Sequence, residues 1–548
     1  MVSTSYIKSS LADVDVPDID IPSLFFERVR KHAEFTRTES PRPLFVDGSE
    51  DSTENVTFVQ LESLCTKLAS GLFHTKGVKA GDVVAVILPN SIHYTTVILS
   101  ALMVGAACTL VNPAYTSREM GHQLTDARAT LVITTVALSE AVEQAISEHS
   151  IPVEHVLVID KPDKFSSSSL ASIFDILCEQ PFPRPSQNNA TAVAFIPYSS
   201  GTTGRPKGVL LSHRNIVANM MQATVVLGSP SPRAMYPSTS VCVLPMFHSF
   251  GLLYLCLLAP VSGTATVVMT SFSMPRFLQL IQEHRVTDAM LVPPILNALV
   301  KMPNITQQYD LTSLATIVVG AAAQSTTTIE TLESMMPHVR VRQGYGMTES
   351  SPTLAGIMES STRNLLSVGR LAPNIEAKVV DNNGRVVGWG ETGELCFRGP
   401  NIMLGYAHNP EATRMAFDSD GFLLTGDIGY IDKTQHIFLT DRKKELIKFN
   451  GFQVAPAELE GLLMQHPRVQ DCAVAGVFDE KRQTEVPRAY LVLTPKNSPC
   501  GSDEDDAQAI VEWLNAQVAY FKQLRGGFAI LDAIPKSASG KILRRMLA

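Results

Sequence analysis

The stretch of sequence that decides the fold is Tyr198-Ser199-Ser200-Gly201-Thr202-Thr203-Gly204-Arg205-Pro206-Lys207-Gly208-Val209. An apolar run at residues 191–197 precedes it and predicts a buried strand, and a helix is expected after Val209-Leu210-Leu211, from Ser212 to near Gly228. Glycines let backbone N–H groups approach a polyanion, hydroxyls add donors, and the lysine adds positive charge. The stretch therefore predicts a phosphate-binding loop, although no Gly-Lys-Ser/Thr closes it as in a Walker A loop.

The composition is that of an ordinary globular protein of more than one domain. The chain has 548 residues, of which 45% are hydrophobic and 18% are charged. Its formal net charge is -8, which argues against a nucleic-acid binder because such proteins normally carry a basic balance. Small anionic ligands remain compatible with this charge, because they respond to local potential.

The cysteines predict neither disulfides nor a zinc site. They are scattered, without Cys-x-x-Cys or Cys/His ligand spacing, at Cys65, Cys108, Cys178, Cys242, Cys256, Cys396, Cys472 and Cys500. This pattern is typical of reduced thiols in an intracellular protein. The first residues lack an apolar signal core, and Arg545-Met546-Leu547-Ala548 is not a Ser-Lys-Leu peroxisomal signal, so a cytoplasmic location is expected.

Two apolar runs are long enough to cross a membrane. Residues 94–111 and 251–269 both contain Ser or Thr, and the second includes Pro260 and Gly263. Buried helices and strands of a large α/β core explain them better than membrane spans.

Strands and helices alternate through the first two thirds of the chain. Short apolar runs at 83–88, 131–134 and 155–159 predict strands, and a helix is expected at 138–148. Further strands are predicted at 240–245, 264–269, 289–292 and 315–319. This alternation indicates parallel α/β layers, in which ligands bind at the carboxyl ends of the strands.

The pattern of predicted strands and helices changes towards the carboxyl end of the chain. Residues 366–440 read as a β-rich subdomain, with a hairpin of 375–380 and 385–387 around Asn382-Asn383-Gly384 and further strands at 394–398 and 428–439. Beyond the charged segment at 441–448, a helix at 457–465, strands at 473–477 and 489–493, and an acidic stretch at 503–506 that precedes a helix through Ala519 predict a separate α+β domain. We therefore expect a large domain at 1–443 and a small one at 444–548.

The loop at 199–207 resembles the phosphate-binding signature of the acyl-adenylate-forming (AMP-binding) superfamily. Other motifs resemble those of the superfamily and follow in its order: Gly344-Tyr345-Gly346-Met347-Thr348-Glu349, Thr425-Gly426-Asp427, Arg442-Lys443-Lys444, Gly451-Phe452-Gln453 and Gly540-Lys541. The resemblance spans residues 55–545 and is closest to 4-coumarate–CoA ligases and related acyl-CoA synthetases. It implies an α/β fold: a large N-terminal domain of layered α/β sheets with a β-rich subdomain, and a small mobile C-terminal α+β domain.

The resemblance implies an ATP-dependent acid–CoA ligase. A carboxylic acid and ATP would give acyl-AMP and pyrophosphate, and the thiol of coenzyme A would then displace AMP to give acyl-CoA, with Mg²⁺ as the metal. A stand-alone adenylation enzyme that loads a carrier protein is the alternative. A luciferase-like oxidase has no feature in its favour, and a non-enzymatic scaffold should have lost Lys541 or Glu349. The expected partners are small molecules, and the chain is expected to be a monomer or homodimer.

The implied nucleotide site draws on most of these motifs. Glu349 offers Mg²⁺ a hard oxygen ligand, and Thr348 can donate to a phosphate, although Thr-Glu is also a common helix start. Asp427 can accept hydrogen bonds from the ribose hydroxyls, whereas Arg442, read from the residues alone, is a solvated charge. The implied ATP and AMP contacts are Ser199, Ser200, Gly201, Thr202, Thr203, Gly204, Lys207, Gly344, Tyr345 (against adenine), Gly346, Thr348, Asp427 and Arg442.

The C-terminal motifs carry the implied catalytic lysine. A basic tail is usually solvated, yet Lys541 follows Gly540 and a strand-like run, and the resemblance places it between the acid carboxylate and the α-phosphate. After pyrophosphate leaves, the small domain would rotate about a hinge at Lys444. Lys448 and Gln453 match residues with catalytic or AMP-contacting roles, and Gly451 and Phe452 would line the channel for the coenzyme A thiol.

The acid pocket is expected where small and aromatic residues follow the strands. His248 reads either as a core histidine or, by resemblance, as a group near the acid carboxylate. The pocket candidates are Tyr254, Gly320, Ala321, Ala322, Pro352 and Thr353, with Gly344 beside them. His248-Ser249-Phe250 replaces the His-Ile-Tyr type segment of the plant hydroxycinnamate enzymes, so an aromatic, arylalkanoic, fatty or secondary-metabolite acid is equally compatible.

Overall fold

The structure is a computed structural model, and it describes most of the chain. The described residues are 6–37, 39–50, 52–161, 170–199, 206–228, 237–322, 324–357, 363–442, 445–449, 452–480, 482, 484–495, 502–518, 520–537 and 540–547, with the backbone alone at 441, 442, 448, 452 and 453.

The strands are numbered in chain order. Those before residue 300 are β1 (Ile7–Lys8), β2 (Pro43–Asp47), β3 (Asn55–Thr57), β4 (Val83–Val86), β5 (Ala107–Leu110), β6 (Leu131–Thr134), β7 (His155–Val158), β8 (Ala171–Ser172), β9 (Val193–Ser199), β10 (Lys207–Ser212), β11 (Thr239–Cys242), β12 (Ala265–Val268) and β13 (Asp288–Leu291). The later strands are β14 (Thr316–Val319), β15 (Arg340–Gly346), β16 (Thr353–Gly356), β17 (Arg370–Leu371), β18 (Glu376–Val380), β19 (Gly393–Arg398), β20 (Gly405–Tyr406), β21 (Leu423–Ile431), β22 (Ile437–Arg442), β23 (Ile447–Phe449), β24 (Phe452–Val454), β25 (Val469–Asp479), β26 (Thr484–Leu493) and β27 (Phe528–Ile530).

The α-helices are numbered in the same way. They are α1 (Ile21–Val29), α2 (Ala33–Thr36), α3 (Phe58–His74), α4 (Tyr94–Met103), α5 (Ser117–Asp126), α6 (Val136–Glu148), α7 (His213–Leu227), α8 (Ser249–Gly251), α9 (Ala259–Val261), α10 (Met274–His284), α11 (Pro293–Lys301), α12 (Pro303–Thr306), α13 (Thr326–Met335), α14 (Pro410–Ala416), α15 (Pro456–Leu463) and α16 (Asp503–Asn515). A π-helical segment, Leu252–Leu258, joins α8 to α9, and 3-10 turns lie at Thr348–Ser350, Tyr520–Lys522 and Arg544–Met546.

Two large sheets form the body of the protein. Within the described residues, one sheet has the order β20-β10-β9-β5-β4-β6-β7-β8 and the other the order β17-β16-β15-β14-β13-β11-β12-β2-β3. Their central strands are parallel, as the alternation of strands and helices predicts. An apolar core joins the layers, and its largest fully buried side chains include Tyr94, Phe25 and Phe195.

A third, antiparallel sheet corresponds to the β-rich region predicted at 366–440. Its order is β1-β18-β19-β21-β22, so a strand from the start of the chain completes its edge. The hairpin predicted for residues 375–387 is present but short: Val380 bridges Val386, and the Val387 N–H donates to the Val379 carbonyl at 2.9 Å. Along its length β18 pairs with β19, so it is also a strand of the larger sheet.

The last part of the chain has its own small sheets and core. β25, β26 and β27 form one sheet, β23 pairs with β24, and α15 and α16 pack on them. The helix predicted to reach Ala519 ends at Asn515 instead.

The apolar runs at 94–111 and 251–269 are core elements. The first forms α4 and β5, and the second forms the π-helical segment, α9 and β12, with nearly every side chain buried. No helix in the described part of the chain is long and apolar enough to span a membrane. The described cysteines, which omit Cys500, form no disulfide.

Candidate active site

The predicted phosphate loop connects β9 to β10. The two strands are antiparallel, with Ser199 directly opposite Lys207, so the segment between them is a connection at the end of a strand pair. The helix predicted after the loop is α7, where the Ser212 side chain accepts from the backbone N–H of Asn215 and Gly228 follows the last turn with a φ of 74°. Ser200, Gly201, Thr202, Thr203 and Gly204 lie outside the described residues.

Glu349 is the centre of a polar cluster at this end of the sheet. Its side chain is buried, and its Oε1 accepts hydrogen bonds from the Ser199 hydroxyl at 2.9 Å and the Tyr406 hydroxyl at 3.1 Å. The Lys207 ammonium lies 5.1 Å from the centre of the Tyr406 ring. Burial, followed by the Glu349 charge, raises the pKa of Tyr406, so this phenol remains a donor. A carboxylate and a lysine beside a phosphate loop suit a nucleotide and its Mg²⁺, which proteins bind through few carboxylates and the substrate phosphates.

Tyr345 and Asp427 meet beside this cluster. The Tyr345 hydroxyl donates to Asp427 Oδ2 at 2.7 Å, and both side chains are buried. Asp427 lies on β21 directly opposite Arg442 on β22. Gly346, directly after Tyr345, allows the backbone to approach Pro352 closely, because a Cβ at Gly346 would lie 1.9 Å from the Pro352 carbonyl oxygen. These residues form one wall that fits an aromatic base and a pair of ribose hydroxyls.

His248 lies between the nucleotide wall and the apolar pocket. It precedes α8, and its Nδ1 accepts from the backbone N–H of Phe250 at 3.4 Å. Burial and then the Lys541 charge lower the pKa of His248 to about 3. The imidazole is therefore neutral, and because Nδ1 accepts a hydrogen bond, Nε2 carries the proton. Next to it, the Ser249 and Thr348 hydroxyl oxygens are 3.5 Å apart.

Lys541 reaches this place from the end of the chain. It lies in a short loop closed by the bridge Lys536↔Ile542, and the Ser537 N–H donates to the Lys541 carbonyl at 2.8 Å. Gly540 before it has a φ of 79°, which disfavours residues with a side chain. Arg544 anchors the segment, since its guanidinium binds both Glu460 oxygens, at 2.6 and 2.8 Å, and also Glu445. The tail is thus held in a defined conformation, unlike a solvated basic end.

The acid-pocket candidates surround one aromatic pair. The rings of Phe250 and Tyr254 pack edge to face at 5.1 Å, and a Cβ at Gly320 would lie 3.2 Å from the Phe250 ring. The hydroxyl oxygens of Tyr254 and Thr353 are 2.8 Å apart. Ala321, with a φ of 71°, follows Gly320 at the end of β14, and Ala322 comes next. Pro352 precedes β16, and its carbonyl accepts from the Met347 N–H at 2.9 Å. The structure therefore brings these predicted residues together with His248.

Buried amides of α7 support the loop that carries Thr353. Asn219 exchanges two hydrogen bonds with the Thr353 backbone, each of 2.9 Å, and the Asn401 side chain donates to the Ser350 and Thr353 carbonyls. Asn215 donates to the carbonyls of Pro400 and Ile402 at 2.8 Å. Fully paired buried amides of this kind fix backbone positions.

The remaining predicted residues follow β22. Lys444 and Gly451 lie outside the described residues. Lys448 on β23 is the register partner of Gln453 on β24, and Phe452 on β24 is the partner of Phe449. This hairpin packs against β26 and so belongs with the C-terminal sheet.

Sequence reasoning missed several residues of the site. Tyr406 and Asn401 were not singled out, although each binds a predicted site residue or its backbone. Arg544, which was not singled out either, is half-buried and binds Glu460. Tyr406 and Asn401 lie in the sequence Gly399-Pro400-Asn401-Ile402-Met403-Leu404-Gly405-Tyr406, whose glycines and proline are the only local signal. Arg544 follows Lys541 by three residues, but its partners are distant in sequence.

Comparison with known proteins places this site in a family. The model of the AMP-binding enzyme family matches residues 30–407, and the model of the AMP-binding enzyme C-terminal domain matches residues 458–541. The chain is 36% identical to "Probable 4-coumarate–CoA ligase 1" of Dictyostelium discoideum, over 99% of this chain and 97% of that protein. It is also 36% identical to "4-coumarate–CoA ligase 1" of Petroselinum crispum, over 98% and 96%.

Solved structures agree with this assignment. The o-succinylbenzoate CoA synthetase of Bacillus subtilis in complex with its acyl-adenylate intermediate has a TM-score of 0.76 and 27% identity, over 95% of this chain and 97% of that one. The same enzyme with ATP and magnesium ion has a TM-score of 0.76 and 26% identity, over 96% and 98%. The chain belongs to the AMP-binding enzyme family. The predicted fold, a large α/β part followed by a small C-terminal one, and the predicted class, an ATP-dependent acid–thiol ligase, are confirmed.

Proposed function

We propose that this chain joins a small carboxylic acid to coenzyme A in two steps at one site. In the first step the acid carboxylate attacks the α-phosphorus of ATP, an acyl-AMP mixed anhydride forms, and pyrophosphate leaves. In the second step the coenzyme A thiol attacks the acyl carbon, loses its proton, and displaces AMP. The observation that carries the proposal is the Glu349 cluster beside Ser199, with the loop of Lys541 resting on Val292 after β13.

Each part of the nucleotide has a candidate group. Lys207, Ser199 and Thr348 would bind the triphosphate, Glu349 would hold Mg²⁺, and Mg²⁺ would screen the phosphate charge. Tyr345 would lie against adenine, and Asp427 and Arg442 would bind the ribose. The described side-chain partners of Glu349 are both hydroxyl groups, and neither carries a positive charge that would compete with a cation.

Lys541 and His248 would act on the acid carboxylate from two sides. The carboxylate and the α-phosphate repel each other, and the Lys541 ammonium would offset this repulsion as charge develops on the phosphate. His248 would donate a hydrogen bond from Nε2 to a carboxylate oxygen, because its Nδ1 is occupied by the Phe250 N–H. We therefore assign His248 a positioning role instead of that of a general base.

The pocket favours an acid with an apolar body. Phe250 and the small residues Gly320, Ala321 and Ala322 offer apolar surface, and the Tyr254–Thr353 hydroxyl pair is the polar feature described there. One hydroxyl of such a pair donates to the other, so the pair can still donate once to a carbonyl, ether or hydroxyl oxygen on the acid. Aromatic, arylalkanoic and fatty acids with such an oxygen are the proposed substrates.

The division of labour along the chain is part of the proposal. Residues 1–443 would bind ATP and acid, with 366–440 as the β-rich subdomain, and residues 444–548 would form the mobile domain, with Lys444 as hinge. Lys448 and Gln453 would contact AMP, and Gly451 and Phe452 would line the thiol channel in a second pose. The separate core around Leu459, Val474 and Leu491 supports a unit that moves as one body.

A substrate panel tests the proposal directly. The purified chain with ATP, Mg²⁺, coenzyme A and a set of carboxylic acids should release pyrophosphate and form an acyl-CoA that mass spectrometry detects. If pyrophosphate is released but no acyl-CoA forms, and a thioester forms once a phosphopantetheinylated carrier protein is added, the chain is the carrier-loading alternative. ATP cleavage that needs no acid would contradict both. Gel filtration would decide between monomer and homodimer, and a fluorescent fusion would test the cytoplasmic location that the reduced cysteines favour.

A further inference from the structure

Lys301 joins the large body to the C-terminal sheet. It is the last residue of α11, and its Nζ donates to the backbone carbonyls of Val469 at 2.9 Å and Gln470 at 2.7 Å. Those two residues begin β25, a strand of the C-terminal body. A charged donor that binds two successive carbonyls holds them more firmly than a neutral side chain would.

The opposite end of α11 contacts the loop that carries Lys541. A Cβ at Gly540 would lie 3.4 Å from Val292 Cβ and 3.6 Å from Pro294 Cδ, so the loop backbone rests on the residues that open the helix. The C-terminal body therefore meets α11 at both ends of the helix. Two separated contacts restrict the orientation of the C-terminal body more than one contact would, because they leave only rotation about the line that joins them.

The strand that Lys301 binds is coupled to the same loop. Asp471, next to Gln470, accepts a hydrogen bond of 2.6 Å from the Lys536 ammonium. The Lys536 backbone in turn bridges to Ile542, which closes the loop around Lys541. A shift of the start of β25 is thus transmitted to the loop of Lys541 through two interactions, the Asp471–Lys536 hydrogen bond and the Lys536–Ile542 bridge.

The Lys301 ammonium is partly removed from water by this contact. Burial lowers its pKa, against the opposing effect of the Asp471 carboxylate. If the two bodies separated, the ammonium would return to water, and the Val469 and Gln470 carbonyls would lose this donor. The bonds therefore belong to this pose of the C-terminal body.

We propose that Lys301 is a positioning residue that holds the C-terminal body in the pose in which the loop of Lys541 rests on the start of α11, and so favours adenylation over thioester formation. The inference rests on the proposed two-step function. It concerns a residue that contacts neither the nucleotide wall nor the acid pocket.

The test compares Lys301→Met with Lys301→Arg in the full chain. Hydrogen–deuterium exchange of peptides from residues 293–301, 469–471 and 540–547 should rise in Lys301→Met, because the pose opens more often, and should stay near the wild-type level in Lys301→Arg, which keeps charge and donors. In stopped assays with an accepted acid, pyrophosphate release should slow about tenfold in Lys301→Met, as expected for the loss of charged hydrogen bonds. Thioester formation from supplied acyl-AMP should be unchanged or faster.

Lys31→Met is the matched control, since Lys31 is a surface lysine paired with Glu27 at 2.9 Å on the same large body. It should change none of these quantities. Unchanged exchange at 540–547 in Lys301→Met overturns the proposal, as does an equal loss in both half-reactions. If the wild type activates no acid, the proposed function fails, and the exchange measurement alone still decides whether Lys301 holds the pose.

Discussion

The Tyr345 hydroxyl donates a 2.7 Å hydrogen bond to the Asp427 carboxylate, which joins the end of β15 in a large sheet to β21 in the antiparallel one. Replacement by phenylalanine keeps the ring but removes one donor that orients the carboxylate assigned to the ribose. We expect Tyr345→Phe to raise the KM for ATP about fivefold to tenfold, the equivalent of one ordinary hydrogen bond, with little change in kcat. Initial rates at varied ATP give this value. The control is Tyr430→Phe, because Tyr430 lies on β21 with Asp427 but its ring stacks on Phe438. Equal effects of the two substitutions on the KM for ATP would argue against a role of the Tyr345 hydroxyl in nucleotide binding.

Lys541→Ala should separate the two half-reactions. Removal of a charge-stabilising donor typically costs about 100-fold to 1,000-fold in rate, and this loss should fall on pyrophosphate release. Thioester formation from synthetic acyl-AMP should continue, because the lysine is assigned to the first step only. Lys522→Ala, which removes a lysine bound to Glu458 in the same C-terminal body, serves as control. Equal losses in both steps would contradict the two-pose assignment.

Glu349→Gln distinguishes a metal ligand from a structural acceptor. The amide oxygen can still accept from Ser199 and Tyr406, so the fold should be kept, while the charge for Mg²⁺ is lost. We expect adenylation to fall about 100-fold. We also expect the Mg²⁺ concentration for half-maximal rate to rise. Tyr406→Phe removes one donor and keeps the charge, so its Mg²⁺ dependence should match the wild type. A normal Mg²⁺ response in Glu349→Gln would remove Glu349 from the metal site.

The Tyr254–Thr353 hydroxyl pair should set acid selectivity. Tyr254→Phe leaves the edge-to-face packing on Phe250 but removes one hydroxyl, and Thr353→Val removes the other at similar volume. Both variants should lose about tenfold in kcat/KM for acids with a distal oxygen acceptor and keep activity on purely apolar acids of the same length. Competition assays with paired acids measure this ratio. An unchanged ratio would place the acid elsewhere.

His213 should make the protein less stable in mild acid. Burial lowers the pKa of His213 to about 4, and its Nδ1 accepts from the Ile21 N–H at 3.2 Å. The unfolded chain binds the proton near pH 6.5, so the stabilisation present above pH 6.5 is lost as the pH falls towards 4. His213→Gln should weaken this dependence by about 2–3 kcal/mol in urea unfolding at pH 7 against pH 4.5. His338→Gln, an exposed histidine, should leave the dependence unchanged.

Local patterns predicted the elements that are stabilised locally. The strand at Leu131–Thr134 was predicted with its bounds, and Ser212 and Gly228 mark the ends of α7 because a hydroxyl cap and a positive φ are properties of single residues. The edge strand at Ile7–Lys8 and the pairing of β18 with β19 were not predictable in this way. The partner of Ile7 is Ala377, far along the chain, and β19 lies beyond the turn at Asn382-Asn383-Gly384, which indicates only the short hairpin with Val386.

Site residues were predictable from the sequence where they lie in a recognisable motif. They were not predictable where their role depends on contacts with residues distant in sequence. Asp427 and Lys541 directly follow glycines, and Glu349 lies three residues after Gly346, in recognisable segments. In the structure Glu349 accepts from Ser199 at the predicted phosphate loop, and Asp427 accepts from Tyr345. Arg544 and Lys301 carry no such signal. Their roles follow from carboxylates and carbonyls that the fold places beside them, which the sequence alone does not reveal.

One helix, α7, supports both the proposed nucleotide site and the proposed acid pocket. α7 directly follows β10, the strand after the phosphate loop, and its side-chain amides at Asn215 and Asn219 donate to backbone carbonyls of residues 400, 402 and 353. A backbone shift that changed the shape of the acid pocket would therefore also disturb α7 and the segments around residues 400–402, which lie at the proposed nucleotide site. New acid preferences in this lineage should therefore arise by exchanging side chains on an unchanged frame, and insertions or deletions at 350–353 should abolish ATP use along with selectivity.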